Sequence, residues 1–208
     1  MPDKMIDNIH WLGHDGFYVE GSKVVYFDPW KISGGPKADV VCVTHEHFDH
    51  CSPDDVEKIS RDDTLIVTEA QAAEKLSGNV KVLKPGESVE QGGVKITAVP
   101  SYNTDKDFHP KANDWLGFIV ELDGVKIYHV GDADFIPEMN DMDVDIALIP
   151  VSGTYVMDAD QGIEAARAIK PKIAVPMHYG DIVGSEDDAK KFAAALEGEI
   201  KVVIKQKE

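Results

Sequence analysis

Residues 45 to 50 read His45-Glu46-His47-Phe48-Asp49-His50, four metal-ligand side chains in six positions directly after the apolar run Val40-Val41-Cys42-Val43-Thr44. Three imidazoles and a carboxylate this close repel one another once protonated and are costly to desolvate. A fold that gathers them therefore needs a centre of high positive charge among them, which a divalent metal supplies. Spacing narrows this further. On an extended or tightly turning backbone His45 and His47 share a face, whereas Asp49 and His50 cannot both join them at one tetrahedral ion, so two ions side by side with a bridging water are expected. A lone histidine beside a strand is ordinarily a satisfied core or surface residue; four ligands in six residues are not.

The chain has 208 residues, which suits one generous domain over 1–208 with a real core. Its 21 Lys+Arg against 38 Asp+Glu give a formal charge of −17, and Arg61 and Arg167 are the only guanidinium groups. Without a basic patch the counterion-release contribution to phosphate-backbone binding is missing or adverse, so nucleic acid is a poor partner. Cys42 and Cys51 do not make a secreted disulfide framework, and a reducing cytoplasm fits them best. Met1 to Asp7 shows no basic and apolar leader pattern and no apolar run approaches spanning length, so no membrane role is expected.

Short β-rich runs fill the first half: Ile9 to Leu12, Phe17 to Glu20, Val24 to Phe27 and Val40 to Thr44. Ser52-Pro53-Asp54-Asp55 supplies a cap, a proline at the first helical position and acids in the first turn, predicting a helix to about Ser60. The ligand cluster thus falls in a strand-to-helix loop. A strand over Thr64 to Thr68, a helix over Glu69 to Leu76 and a strand over Val80 to Leu83 follow. Hairpins come next, Ser88 to Glu90 with Val94 to Val99 and Leu116 to Leu122 with Val125 to Val130, the latter through Asp123-Gly124. The last third alternates again: strands 146–151, 173–177 and 200–204 and helices 159–169 and 186–196. Two similar halves of this kind suggest two sheets face to face with helices outside.

Two further strand ends carry ligand types. Gly131-Asp132-Ala133-Asp134 follows an apolar strand, where Asp132 could bridge two ions, and His178 ends the strand from Ile173. A Gly-Asp step alone is usually a turn, and only the histidine cluster raises its functional reading.

Through Thr44 to His50, Gly131-Asp132 and His178, in that order, the chain resembles the metallo-β-lactamase superfamily over nearly its whole length. Trp11 to Phe17 and Asp28-Pro29 resemble the branch of small hydrolases that includes L-ascorbate-6-phosphate lactonase. The resemblance implies an α+β fold, a four-layer αββα sandwich, with one metal site near His45 and His47, a second near Asp49, His50 and His178, and Asp132 between them. One departure stands out. The superfamily's third motif offers a histidine after the strand at Val94 to Pro100, where this chain reads Ser101-Tyr102-Asn103. His109 could fold back onto the first metal; otherwise Asn103 or water fills the position. His14 and Asp28, and with them Asn103, Asp134 and Tyr155, are candidates for orienting ligands or substrate. His129 reads as a buried, hydrogen-bonded histidine and His10 as structural.

The expected activity is hydrolysis of a small ester, lactone or phosphoester by a metal-bridging water that loses its proton near neutral pH, with Asp49 and Asp132 holding it. Two divalent ions are implied, zinc by default, with manganese, iron or nickel also accepted by such ligands. A binding protein on the same scaffold with little catalysis is the alternative, motivated by the missing histidine near Tyr102. Similar di-iron oxidoreductases usually carry a carboxylate where this chain has His47. Only 45 residues separate Asp132 from His178 and 30 follow it, which leaves no room for the nucleic-acid clamp or the helical substrate domain of larger relatives. A small-molecule substrate at an open rim remains; a homo-oligomer is left open, since similar small hydrolases often assemble.

Overall fold

The computed structural model describes residues 1–140 and 142–208. Strands β1 (Ile9–Gly13), β2 (Gly16–Glu20), β3 (Val24–Phe27), β4 (Val40–Cys42), β5 (Leu65–Thr68) and β6 (Asn79–Val82) form one sheet in sequence order. A second sheet runs β13-β12-β11-β10-β9-β8-β7, from β7 (Ser88–Gln91), β8 (Val94–Pro100), β9 (Leu116–Leu122) and β10 (Val125–His129) to β11 (Ile146–Pro150), β12 (Ile173–Met177) and β13 (Lys201–Val202). Each sheet starts with antiparallel hairpins and turns parallel: β3 with β4 in the first, β10 with β11 in the second. The halves foreseen in the sequence are thus topological repeats.

Period-two alternation assigns the layers. Val40, Cys42, Leu65 and Val67 face the core between the sheets, whereas Val41, Val43 and Ile66 face outward onto Val56 and Ile59 of α2 (Pro53–Ile59) and Ala72 of α3 (Ala70–Ala73). Helices α4 (Ala159–Ile169) and α5 (Glu186–Ala195) cover β11 and β12, whose residues are buried on both faces, as expected of parallel strands between layers. Capping boxes at Asp158/Gln161 and Ser185/Asp188 start these two helices. The result is the expected αββα sandwich. A short helix, α1 (Pro2–Met5), precedes it, and no helix among the described residues is long and apolar enough to cross a membrane.

Three local expectations are corrected. The helix expected over Glu69 to Leu76 ends at Ala73, with Glu69 as its cap accepting from Gln71 and Ala72 amides. Ser52 stands at the N-cap of α2 as expected, but its side chain makes no cap bond; its hydroxyl donates to Asp55 Oδ2, a carboxylate that also accepts from Lys31 N–H. The last strand stops at Val202 because the chain then crosses to the other sheet, where Lys207 bridges Trp11 and Glu208 N–H donates to Trp11 O. That tail also carries Glu208 onto His10, which stacks on Tyr18.

Candidate metal centre

The ends of β3, β4, β8, β10, β11 and β12 are followed respectively by Asp28, Thr44-His45, Ser101 to Asn103, Gly131-Asp132, Ser152 and His178, and the β1–β2 turn adds His14 and Asp15. These chain segments meet at one rim. Three of them hold the backbone in the left-handed region without glycine, His14 at φ 52°, Asp28 at 39° and His178 at 59°. Such conformations persist only where the surroundings enforce them, and they gather at functional sites. Gly131, at φ 68°, has a different reason: a Cβ there would stand 2.9 Å from Leu116 O. Only glycine lets the chain turn so tightly and send Asp132 inward.

His45, His47 and His109 form one cluster, with ligand atoms within 4.8 Å of one another. His45 Nε2 lies 2.9 Å from His47 Nδ1. Its other nitrogen is 3.0 Å from Thr44 Oγ1, which itself donates to Asp28 Oδ2 at 2.6 Å. A hydroxyl has one proton, so Thr44 accepts from His45 Nδ1–H and the Nε2 lone pair is left facing inward. His109 is set the same way. Its Nδ1 faces two acceptors, Asn103 Oδ1 at 3.1 Å and Tyr155 O at 3.2 Å, so Nδ1 carries the proton. Asn103 also accepts from His109 N–H and donates to Tyr155 O, which commits its amide to holding the loop. Trp115 walls this cluster, its ring 4.7 Å from His45 and from His47.

The second cluster joins Asp15, His50, Asp132 and His178, all buried. Asp28 Oδ2 accepts from His50 Nδ1 at 2.8 Å, and Ser152 Oγ meets His178 Nδ1 at 2.8 Å. Asp132 stands between the clusters: His109 Nε2 is 3.1 Å and His178 Nε2 3.3 Å from its Oδ2, and His50 Nε2 is 3.4 Å from Oδ1. Asp49 Oδ2 is 3.0 Å from His14 Nε2 and 3.8 Å from His50 Nε2. Buried side-chain atoms left without a hydrogen-bond partner include His50 Nε2, His109 Nε2, Asp132 Oδ1 and both Asp15 oxygens. Buried polar atoms in native folds are satisfied, and this donor set is that of a divalent ion. The residues fit the group.

Electrostatics point the same way. Burial, helped by His50, holds His45 well below the ordinary histidine value, and burial with His109 lowers His47. Both are therefore neutral at neutral pH, the form with a lone pair to give. Burial opposes a charge on His50, yet Asp132 and Asp28 outweigh it and raise its pKa well above the usual value. Asp132 in turn is held well below the carboxylate range, against its burial, by His50 and His178. Asp49 is lowered as well, against its burial, by His14 and His50. Asp15 moves the other way, raised by burial and by the facing Asp132.

An open pocket of about 320 Å³ lies over the centre, floored by His47, Asp49, His109 and Asp132 and walled by Phe48, Phe108, Tyr155 and Ile182. Two larger grooves, of about 440 Å³ each, contain no histidine and no buried carboxylate. Asp134 points away from the pocket, into Lys106 Nζ and the amides of Thr104 and Asp105. His129 stacks on Phe27 and hydrogen-bonds to Asp15 O and Gly131 N–H. Cys51 is a buried filler of the outer core, and Met157 lies in the main core. Sequence reasoning missed Asp15, Ser152 and Trp115; the Gly13 to Gly16 turn flagged His14 and could have flagged its neighbour.

The profile described as the Beta-lactamase superfamily domain matches residues 8–178. A UPF0173 metal-dependent hydrolase of Thermoplasma acidophilum is 34% identical, the match covering 89% of each chain. The crystal structure of a Parabacteroides distasonis protein described as a metal-dependent hydrolase superposes with a TM-score of 0.85 at 34% identity, over 96% of this chain and 93% of that one. CmlA, a diiron β-hydroxylase of Streptomyces venezuelae, aligns over 95% of this chain and 52% of its own with a TM-score of 0.74 at 12% identity, and so shares the fold alone. The expectation of a lactonase-like branch gains nothing from these relatives. The rim of strand ends, the imidazole and carboxylate donors on it and the whole-length likeness together make this chain a member of the metallo-β-lactamase superfamily, an enzyme of the UPF0173 metal-dependent hydrolase group.

Proposed function

We propose that the chain hydrolyses a small ester, lactone or phosphoester at a two-ion centre. His45, His47 and His109 would hold one divalent ion, zinc by default, and His50, His178 and a carboxylate from Asp49 or Asp15 the other, with Asp132 shared. The observation that carries this reading is the convergence of three imidazole Nε2 atoms on Asp132, at 3.1, 3.3 and 3.4 Å, where buried donor atoms otherwise lack partners. When bound, divalent ions supply Lewis acidity, which polarises a carbonyl or phosphoryl oxygen and acidifies water.

The protein's own groups do the rest. Asp28, Thr44, Asn103 and Ser152 fix the rings by hydrogen bonds to the nitrogen facing away from the centre. Asp49 lies on the pocket floor, ionised and steadied by His14, where it can accept a hydrogen bond from the attacking water and take its proton. Trp115 packs against the His45 and His47 rings and keeps the first cluster buried on that side. The ground for a binding-only protein was the histidine missing after β8; the neighbourhood of His109, His45 and His47 supports a full ligand set instead.

Elemental analysis of protein purified without added metal, paired with a panel of lactones, esters and phosphoesters, tests the reading. Chelation is expected to abolish turnover and re-addition to restore it, and His47→Ala to lose bound metal and hydrolysis together. Turnover that survives complete metal removal would sink the proposal.

A further inference from the structure

Large hydrophobic side chains stand exposed at five places among the described residues, and three of them ring one pocket: Phe48 at 70%, Phe108 at 50% and Ile182 at 39% relative exposure. The others are Met1, at the chain start, and Val82, on the edge strand β6. The three come from segments far apart in sequence, the loop after β4, the segment between β8 and β9 and the loop after β12, so no local pattern accounts for their meeting. Tyr155 closes the ring, packed edge to face with Phe108 at a centroid distance of 4.8 Å. An apolar collar of this kind, open to solvent, costs solubility, and such patches mark binding grooves and interaction sites.

Charge narrows the occupant. Among the described residues, no lysine or arginine lines the pocket. Lys106 and Lys111, in the segment that carries Phe108, are both committed. Lys106 Nζ lies 2.6 Å from both Asp105 Oδ1 and Asp134 Oδ1, and withdrawing it would leave the buried Asp134 without its counter-charge. Lys111 Nζ is bound to Glu138 at 2.9 Å and to the Tyr102 hydroxyl at 3.0 Å. Beyond its floor of ligands the pocket therefore offers nothing to an anionic tail, and the chain's charge of −17 opposes one. Its volume of about 320 Å³ is that of a small-molecule site.

We propose that Phe48, Phe108, Tyr155 and Ile182 form a specificity collar, and that the substrate carries an uncharged apolar acyl or aryl group there, with the hydrolysable bond on the histidine and carboxylate floor. A phosphorylated sugar is excluded as the preferred substrate. The inference rests on the reading of the floor as a hydrolytic centre, and one experiment separates the two. Zinc-loaded protein is titrated calorimetrically with acetohydroxamate, butanohydroxamate and hexanohydroxamate, and with the hexano analogue ending in phosphate. Affinity is expected to rise along the series by up to about fourfold per buried methylene and to fall when the tail ends in phosphate. Phe108→Ser and Ile182→Ser, both at exposed positions, flatten that rise, and Phe108→Leu restores it.

Affinity independent of tail length, or tighter binding of the phosphate-ended tail, overturns the proposal. So does a dimer, seen by sedimentation, that Phe48→Ser and Phe108→Ser dissolve while the wild type shows no dependence on tail length. Tail-dependent binding with no turnover of any ester, lactone or phosphoester keeps the collar and rejects the hydrolytic centre, whereas turnover indifferent to the tail does the reverse.

Discussion

Asp15 sits in a demanding environment: wholly buried, beside Asp132 and without a hydrogen-bond partner for either oxygen. A buried carboxylate left like this costs about 1–3 kcal/mol or more. Stability is here spent on a site, which predicts opposite effects with and without metal. Without metal, Asp15→Asn is expected to melt at or above the wild-type temperature; on adding zinc it gains less, because binding stabilises only in proportion to affinity. Differential scanning fluorimetry with and without zinc reads both. A lower metal-free melting temperature with an undiminished gain from zinc would show Asp15 to be an ordinary core residue. Asp28 has the opposite character, with His50, Thr44 N–H and the Thr44 hydroxyl all donating to it. Its role was readable from an acid before a proline at a strand end. That of Asp15 was not, because only the tertiary fold brings Asp132 and His50 against it.

Strands and their ends account for most of what the sequence disclosed. The β4 end was legible because its ligands are contiguous, and β10 and β12 because each ends in a ligand type after an apolar run. His109 was harder. It lies in a segment whose course depends on Asn103 folding back to hold it, through bonds of 2.9 Å to its amide and 3.1 Å to its ring. Periodicity carries no such information. Asn103→Ala is therefore expected to leave the fold intact and weaken retention of the ion beside His45 by about 10–100-fold, measured by competition with a chelator. Equal retention in the variant would mean that the ring is held by Tyr155 O alone. The shortened β13 was illegible for a related reason: residues 200–204 have strand composition, but the tail is drawn to Trp11 on the other sheet.

At the scale of the whole molecule, the αββα layers followed from alternation in β4 and β5 and from the fully apolar β11 and β12, while the convergence of the strand ends is a property of the closed fold. That convergence makes stability depend on pH. His14, His45, His47 and His129 have pKa values lowered chiefly by burial. The unfolded chain then binds more protons, so their contribution is complete above the unfolded value of about 6.5 and is lost as pH falls from there toward the folded values. His50, raised, contributes fully below about 6.5 and loses its share as pH rises through its folded value. Asp49 and Asp132, lowered, keep theirs down to about pH 3.9 and lose it in stronger acid. Chelator-treated protein is therefore expected to unfold at lower urea concentration as pH drops from about 6.5 to about 5. Asp15, whose pKa is raised, works the other way as its carboxyl protonates, so the comparison is made in Asp15→Asn, where a midpoint constant over that window would contradict the burial of neutral imidazoles.

If Asp132 serves both ligand clusters, the number of ions bound per chain reports it. Equilibrium dialysis against zinc followed by elemental analysis should give two equivalents per chain in the wild type, one in His109→Ala and in His178→Ala, and neither held tightly in Asp132→Ala. A single equivalent in the wild type, or two in His109→Ala, would show that the clusters do not form one two-ion centre around Asp132.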